Sequence, residues 1–396
     1  MSPLVIIFFT VFIDLIGFGI IIPLLPFYAE TFGGGALTVG LLSTSFSAMQ
    51  FIFAPIWGRL SDRIGRRPVI LLGLFGSFGA YLLFGLAHSL AVLFISRIFA
   101  GIAAANIPTA QAFIADTTTP ENRAKGMGLI GAAFGLGFIF GPAIGGFLSR
   151  WGYAVPALFA SALSLANFVA AWFLLPESRR PGDVRAGVFG PSRIETLKRA
   201  LVRPHLPVLL AVYFVVIAAF SGFETTFALF TEQRFRFTAR TIGYSFAFVG
   251  ILLAFIQGGL VGRATRRFGE RNLVSFAILA LAIGLALIPL ARSVAALYVA
   301  LGVLAIGMGF NGPSILSLIS RLSHEDDQGG IMGVSQSLAS LARIAGPAWG
   351  GLTFDRLGIE FPYFSSAALM AFAFVVSVAG LRGRLVGSRA TPEGVG

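Results

Sequence analysis

Long apolar stretches alternate with short polar segments along the whole chain of 396 residues. A helix that crosses a lipid bilayer needs about 20 predominantly apolar residues in succession. Twelve stretches meet this requirement, at about residues 4–28, 36–57, 69–87, 90–115, 124–148, 155–175, 206–230, 241–262, 273–290, 294–319, 329–352 and 362–381. The pattern therefore predicts an all-α membrane protein of twelve transmembrane helices, which we number spans 1 to 12 in chain order.

The composition supports a membrane protein and argues against an enzyme. Hydrophobic residues make up 56% of the chain and charged residues only 12%, whereas soluble domains carry roughly 25% charged residues. The chain has no cysteine and only three scattered histidines, so neither disulfides nor a zinc site are expected. No nucleophile–base pair or phosphate-binding glycine loop is evident either. We expect no cofactor, no bound metal and no enzymatic activity.

The basic residues predict the orientation of the chain in the membrane. Most of the 29 Lys and Arg residues fall in the loops after spans 2, 4, 6, 8 and 10, on the same side as both termini. Positively charged loops resist translocation, so this side is predicted to be cytoplasmic. We therefore expect a multi-pass protein of the cell inner membrane. The net charge of +12 lies along one membrane face, which argues against nucleic-acid binding.

The chain contains an internal repeat. Asn106-Ile-Pro108 returns as Asn311-Gly-Pro313, and the block Gly141–Gly146 returns as Gly346–Gly351, each time 205 residues later. Six spans separate equivalent points, so the two copies have the same orientation in the membrane, with a substrate path expected between them. This predicts a six-helix bundle over residues 1–175, a cytoplasmic linker over 176–204, and a second bundle over 205–396 with a short cytoplasmic tail.

The loop between spans 2 and 3 has a distinctive composition. It reads Gly58-Arg-Leu-Ser-Asp-Arg-Ile-Gly-Arg-Arg-Pro68, and a weaker copy with Arg266 in place of the aspartate follows span 8. The loop resembles the signature of the major facilitator superfamily. Glycines allow close helix approach and tight turns, and an aspartate can pair with an arginine or cap a neighbouring helix. We expect a cytoplasmic latch, mainly in the first half, formed by Gly58, Asp62, Arg63, Gly65, Arg66 and Arg67. The simpler alternative is a basic loop that anchors the chain at the lipid headgroups.

Two further motifs narrow the resemblance. Span 5 contains a glycine-rich pattern that is similar to the signature of the drug/proton antiporters within the superfamily, formed by Gly137, Gly141, Pro142, Gly145 and Gly146. Span 1 carries Asp14-Leu-Ile-Gly-Phe-Gly, similar to the opening of tetracycline-resistance exporters. The resemblance implies antiport. The alternative for the glycines is helix packing alone, because small residues let membrane helices approach closely.

Four charged residues lie well inside the predicted spans: Asp14, Arg97, Glu224 and Arg343. A charge at this depth costs at least about 2.5 kcal/mol, so each is a candidate for proton coupling. The resemblance implies that spans 1, 4 and 7 line a central cavity shared by the first three. Helix rise leaves two pairings open, since a Glu224–Arg97 contact is as plausible as an Asp14–Arg97 contact. Arg343 could reach either carboxylate or satisfy helix carbonyls, and structural ion pairs remain the alternative for all four.

The remaining polar residues within spans suggest a substrate class. They are sparse and stand among 41 phenylalanines, which favours lipophilic or amphipathic molecules over sugars. We predict a monomeric transporter that exchanges protons for hydrophobic or amphipathic drugs. The alternative is a facilitator or proton-coupled transporter of another small solute, such as a metabolite or sugar. The candidate substrate-binding residues are Phe18, Gln50, Asn106, Gln111, Phe220, Gln257, Asn311 and Gln336.

Overall fold

The computed structural model describes residues 2–178, 193–203, 205–323 and 328–380, and all regular structure within these ranges is helical. Some spans consist of two consecutive helices. The helices of the first half are, in order of span, Pro3–Ile21 with Leu25–Glu30, Ala36–Ile64, Arg66–Gly85, Leu90–Ala104 with Ile107–Thr117, Pro120–Leu148, and Ala154–Leu174. Those of the second half are Leu206–Phe235, Ala239–Phe255 with Val261–Phe268, Glu270–Leu290, Val294–Arg321, Gln328–Leu357 and Phe361–Gly380.

The helices agree with the twelve-span prediction. Within the described ranges, eleven spans are both long and apolar enough to cross a membrane. Span 11 is not among these eleven, although it is 30 residues long. Its sequence is rich in glycine and serine and includes Arg343, which lowers its hydropathy. Its length still suffices to cross a membrane, so a twelve-helix layout fits the structure.

Span 4 is broken at Ala105–Asn106, just before Pro108. A proline removes one backbone donor and leaves carbonyls of the preceding turn without a partner. Span 2 supplies the missing donors: Trp57 Nε1 donates to the Ile102 oxygen at 2.7 Å, and Gln50 Nε2 to the Ala104 oxygen at 3.3 Å. Backbone polar groups in a bilayer must be satisfied within the protein, so these contacts stabilise the break.

The two halves are packed together at one end of the bundle. We call this the opposite end, and the end that carries the arginine-rich loops the basic end. At the opposite end, a Cβ atom added at Gly243 would collide with the Pro142 carbonyl oxygen, and one added at Gly40 with that of Pro347. These collisions show backbone contact between spans 8 and 5 and between spans 2 and 11.

Hydrogen bonds reinforce this closure. Asp355, at the end of span 11, accepts from the backbone nitrogens of Ala36 at 3.2 Å and Leu37 at 2.8 Å, at the start of span 2. A carboxylate is favourable there because it meets the positive end of a helix dipole. Thr44 of span 2 also donates to the Ile344 oxygen of span 11 at 2.9 Å.

The halves separate toward the basic end. A Cβ atom at Gly58, Gly128, Gly262 or Gly333 would meet no atom of the described residues within 4 Å. These glycines lie on spans 2, 5, 8 and 11, the same spans that touch at the opposite end. Backbone contact between these spans is therefore found at the opposite end and not at these glycines of the basic end, which is the more open of the two.

The predicted linker contains a helix that the sequence analysis did not anticipate. Residues Arg193–Val202 form this helix, and its Glu195 and Arg199 form an exposed ion pair of 2.7 Å one turn apart. The remaining linker residues 179–192 and 204, and the predicted tail from residue 381 onward, lie outside the described residues. The proposed limits of the two bundles stay predictions.

Candidate functional site

Asp14 lies in the interior of the first half. It lines a pocket with Thr10 of its own span and Asn106 of span 4, and Ser77 of span 3 is its side-chain hydrogen-bond partner. Its Oδ1 atom is buried without a hydrogen-bond partner among the described residues. A buried carboxylate oxygen in this state either holds a proton or carries a large desolvation cost.

Arg97 of span 4 lies close to this pocket. The residue is 4% exposed, and its guanidinium lies over the ring of Phe46 of span 2, with Cζ 4.6 Å from the ring centroid. Phe18 of span 1 stacks on the same ring, with centroids 5.2 Å apart. Arg97 Nε has no hydrogen-bond partner in the described part of the chain. A cation–π contact therefore takes the place that a carboxylate would usually fill.

Glu224 and Arg343 form a second acid–base group in the other half. Arg343 of span 11 interacts electrostatically with both Glu224 and Tyr213 of span 7, and its Nη2 lies 3.5 Å from Ser340 Oγ. Glu224 Oε1 is buried and, within the described ranges, has no hydrogen-bond partner. Arg343 therefore lies near Glu224, one of the two carboxylates that the sequence left open for it, and its role in proton coupling stays a prediction.

These interactions indicate which arginine lies near which acid. Arg343 interacts with Glu224, while Arg97 and Asp14 both interact with Tyr81 of the first half. The Glu224–Arg97 contact that helix rise left open is not what the structure shows. In this conformation the two carboxylates occupy separate sites, one in each half, instead of the single shared space that the resemblance implied.

The predicted substrate-binding residues fall into four groups. Asn106 and Asn311 are only 7% and 2% exposed and lie inside the two bundles. Gln50 binds the carbonyl at the break in span 4, and Phe18 and Phe220 belong to aromatic clusters. The only exposed amides of the set are Gln111, Gln257 and Gln336. Substrate contact by any of these residues stays a prediction.

The loop after span 2 forms an ion-pair network. Arg66 Nη1 lies 2.7 Å from Asp62 Oδ1, and Arg66 Nε lies 3.1 Å from Asp116 Oδ2 at the end of span 4. Gly65 has a φ angle of +102°, which an L-residue rarely adopts and which reverses the chain between spans 2 and 3. Asp62 therefore pairs with an arginine of its own loop. A Cβ atom at Gly58 would meet nothing within 4 Å among the described residues, so the predicted close helix approach is not seen in this conformation and the role of Gly58 in a latch stays a prediction.

The neighbouring arginines of the loop differ in their surroundings. The Arg67 guanidinium lies over Trp172 of span 6, 5.9 Å from the ring centroid, and its backbone nitrogen donates to Glu177 at 3.2 Å. Arg63 is exposed. Arg67 thus connects the loop to span 6 within the first half, while latching across the halves stays a prediction for all of these residues.

The second half has an ion pair of its own at the corresponding place, with the charges reversed. Glu270 at the start of span 9 corresponds to Arg66, and Arg321 at the end of span 10 corresponds to Asp116. Glu270 Oε2 lies 3.3 Å from Arg321 Nε, and Glu270 Oε1 accepts from Ser317 Oγ at 2.6 Å. The replacement of Asp62 by Arg266 in the repeat suggested that ion pairing at the basic end is confined mainly to the first half. The Glu270–Arg321 pair shows that the second half has an ion pair there as well.

This reversed pair can be tested by exchanging charges. Glu270→Arg should lower the midpoint temperature of unfolding in detergent, because it places two arginines side by side. The double change Glu270→Arg with Arg321→Glu should recover at least half of the loss, since it restores the sign pattern of the first half. Thermal unfolding of the single and double variants, together with Arg321→Glu alone, measures the coupling. Additive losses in the double variant would show that the two charges do not interact.

The glycines of span 5 let this helix pack closely against two others, span 1 and span 8. Cβ atoms at Gly137 and Gly141 would lie 2.8 Å from Leu15 Cβ and 2.6 Å from Gly19 Cα, and one at Gly146 would lie 3.0 Å from the Ala239 oxygen. Gly145 approaches Ile20 in the same way. The contacts account for the motif as helix packing that joins span 5 to both halves, and a further role in antiport stays a prediction.

A pair of carboxyl groups at the opposite end was missed by the sequence analysis. Glu30 ends the short helix Leu25–Glu30, just beyond the apolar stretch of span 1, and is within hydrogen-bonding reach of Glu232 of span 7, and Tyr153 faces both. Burial, and then the charge and hydrogen bond of Glu232, raise the pKa of Glu30 to about 7. Arg234 lies nearby in sequence but pairs with Glu360 at 3.2 Å. The pair joins the two halves and could be recognised only in three dimensions.

The Glu30 carboxyl should make closure at the opposite end depend on pH. A carboxyl with a raised pKa favours the closed arrangement when protonated, and this advantage is lost as the pH rises from about 4.5 toward 7. We expect the population of the closed form to fall by up to about tenfold over this range, since Glu30 is partly exposed and its charge is screened.

Glu30→Gln should abolish that pH dependence while keeping a neutral hydrogen-bonding group. Spin labels on cysteines introduced at exposed positions of spans 2 and 11 would report the distance across the opposite end, because the chain has no cysteine of its own. Glu195→Gln, in the linker helix, is the control. An equal pH response in Glu30→Gln and the parent would contradict the prediction.

Comparisons with known proteins identify the family. The model of the Major Facilitator Superfamily matches residues 7–347 and 258–394. Multidrug resistance protein 2 of Bacillus subtilis is 33% identical over 367 residues, covering 91% of this chain and 90% of that protein. The class C tetracycline resistance protein of Escherichia coli is 35% identical over 353 residues, covering 87% and 88%. The crystal structure of the human organic anion transporter MFSD10 superposes with a TM-score of 0.71 at 28% identity, covering 95% of this chain and 99% of that one. The chain belongs to the Major Facilitator Superfamily and is a multi-pass membrane transporter.

Proposed function

We propose that this transporter exports hydrophobic or amphipathic drugs in exchange for protons, by alternating access. The observation that carries the proposal is the pair of buried carboxyl groups, Asp14 and Glu224, each with an oxygen that lacks a partner among the described residues. Each lies in the same half as an arginine within the spans, the buried Arg97 or the half-buried Arg343. Groups of this kind can bind and release protons as the surroundings change, because burial and nearby positive charge act on a carboxyl in opposite directions.

The conformation fits one step of such a cycle. The basic end, which we propose faces the cytoplasm together with both termini of an inner-membrane protein, is open, while the opposite end is closed by backbone contacts. Drug would enter from the cytoplasm in this state. Reversal of the two ends, with binding energy supplied by the proton or the drug, would release the drug outside.

The substrate class rests on the relatives and on the chain itself. The relatives include a multidrug resistance protein and a tetracycline resistance protein. Aromatic side chains such as Phe18 and Phe46 stack together between spans 1 and 2, and the amides of the spans are few. Such surroundings suit lipophilic molecules. Spans 3 and 8 carry no acidic residue within their apolar segments, unlike the tetracycline exporters that the sequence resembles, so we propose hydrophobic drugs in general and not tetracycline in particular.

Transport by the purified protein in proteoliposomes tests this function. A pH gradient is imposed across the vesicle membrane, and uptake of a lipophilic cationic dye and of tetracycline is followed together with internal pH. Drug-dependent proton movement, with accumulation above equilibrium, is the expected result. Equilibration of solute that is indifferent to the pH gradient would overturn antiport and favour a facilitator.

A further inference from the structure

The surroundings of Asp14 include a tyrosine that the motifs did not indicate. Tyr81 of span 3 is 5% exposed, and its ring lies against Gly17, one turn after Asp14 in span 1. A Cβ atom at Gly17 would be 2.9 Å from Tyr81 Cε2 and 3.5 Å from the hydroxyl oxygen. The glycine therefore lets the phenol approach the backbone of span 1 beside the carboxylate.

Tyr81 lies between Asp14 and Arg97 in the sense that it is a neighbour of both. Its phenol lies near both the Asp14 carboxyl group and the Arg97 guanidinium. Arg97 does not form an ion pair with Asp14 among the described residues, and it rests on Phe46 instead. A change at Arg97 would therefore reach Asp14 by way of the phenol.

The helix geometry explains how span 3 contributes to the site. Ser77 and Tyr81 are four residues apart, so they lie on the same face of the helix, one turn from each other. Both are buried, and Ser77 is the hydrogen-bond partner of Asp14. Span 3 thus presents two adjacent hydroxyl groups to the interior of the first half.

The internal repeat separates this arrangement from the requirements of the fold. Gly17 and Phe18 are kept in the second half as Gly222 and Phe223, so span 1 and span 7 align at an offset of 205. Asp14 then corresponds to Ala219. The local offset for spans 3 and 4 is 204 or 205 residues. At these offsets Ser77 corresponds to Leu281 or Ala282, and Tyr81 to Leu285 or Ala286. Arg97 corresponds to Leu301 or Gly302, so each position is apolar or glycine in the second half. The second half has none of these four polar groups and folds without them. A shared function therefore explains their presence in the first half better than a requirement of packing does.

We propose that Tyr81 is a positioning residue of the proton site, which orients the Asp14 carboxyl and transmits the position of Arg97 to it. This rests on the proton-coupled exchange proposed above. When Asp14 is ionised, the phenol donates a hydrogen bond to the carboxylate. When Asp14 holds the proton, the phenol is free to turn toward Phe46 and Arg97. Among the described residues, the other polar groups at this pocket, Thr10, Ser77 and Asn106, are neutral, and the described residues that pack spans 5 and 6 against span 1, such as Gly141 and Asn167, are not titratable.

Tyr81→Phe tests the proposal because it keeps the ring and removes only the hydroxyl. Loss of one hydrogen bond to the ionised carboxylate should move the pH of half-maximal transport upward by about 0.5 to 1 unit, with drug affinity at fixed pH unchanged. Tyr28→Phe is the matched control. Tyr28 is also a buried tyrosine of the first half, but its hydroxyl donates to the backbone oxygens of Gly85 at 3.2 Å and Ala87 at 3.0 Å. The Tyr28→Phe variant should be less stable to heat, but the pH profile of its transport should not shift.

A second measurement keeps the test independent of transport. Infrared difference spectra of the purified protein, compared with Asp14→Asn, identify the band of the protonated Asp14 carboxyl, and its titration can be followed directly. Tyr81→Phe should move the midpoint of this titration by the same amount as the transport profile. If the parent protein shows no proton exchange, the proposed function fails while the titration still decides the role of Tyr81. An unmoved titration in Tyr81→Phe, or a shift equal to that of Tyr28→Phe, would overturn the inference about Tyr81.

Discussion

Asp14→Asn combined with Glu224→Gln should abolish drug accumulation driven by a pH gradient. For exchange of one proton per neutral drug, one pH unit supports about a tenfold concentration ratio. Without a group that can bind the proton, this ratio should fall to about 1. The two substitutions are nearly isosteric, and each replaces a buried group whose oxygen is without a partner in the described ranges. We therefore expect the double variant to fold and to retain drug binding.

The two single variants show which carboxyl group binds the proton that is exchanged for drug. Loss of accumulation in only one of them identifies the coupling carboxyl, and loss in both shows that the two halves act together. Glu195→Gln is the control, because this carboxylate is exposed in the linker helix, far along the chain from both carboxyl groups, and pairs with the neighbouring Arg199. A double variant that still concentrates drug against its gradient would refute the assignment of both residues.

The twelve spans were predictable because a hydrophobic stretch long enough to cross a bilayer has few other uses. The repeat was recognisable because the glycines and prolines of closely packed helices are identical residues in the two halves. The reversed ion pair was harder, since Glu270 and Arg321 are related to Arg66 and Asp116 by complementary charge and not by identity. It could have been found by following the offset beyond the identical blocks.

The pairing of charges inside the membrane could not be predicted. Counting 1.5 Å per residue places a side chain along a helix axis, but it gives neither the rotation of the helix nor the effect of a break. Span 4 is interrupted at Ala105–Asn106, and Arg97 turns toward Phe46 and Tyr81 of its own half. In the same way, the loose surroundings of Gly58 depend on which end of the protein is open, and a sequence does not specify one conformation of an alternating-access protein.

Alanine at Gly40 and at Gly243 should open the opposite end of the protein. These two glycines lie at related contacts between the halves, where spans 2 and 11 and spans 8 and 5 touch through their backbones. A methyl group added at Gly40 would collide with the carbonyl oxygen of Pro347, and one added at Gly243 with that of Pro142. Both oxygens belong to helix backbone, so they cannot move away as a flexible side chain could. Overpacking of this kind costs about 1–3 kcal/mol at each site. Relief is available by separating the halves at this end, so the cost falls on the closed form and not on the fold as a whole.

The population of the form open at the opposite end should rise by about tenfold in each single variant and by about a hundredfold in the double variant, if the costs add. Cysteines introduced at exposed positions of the two ends, in a chain that has none of its own, allow a membrane-impermeant reagent to report which end is open. Gly79→Ala and Gly302→Ala are matched controls, because an added Cβ atom there meets nothing within 4 Å among the described residues. Labelling at the opposite end should increase, and labelling at the basic end decrease, only in the Gly40 and Gly243 variants. Equal labelling in all four variants would show that these backbone contacts do not decide which end of the transporter is closed.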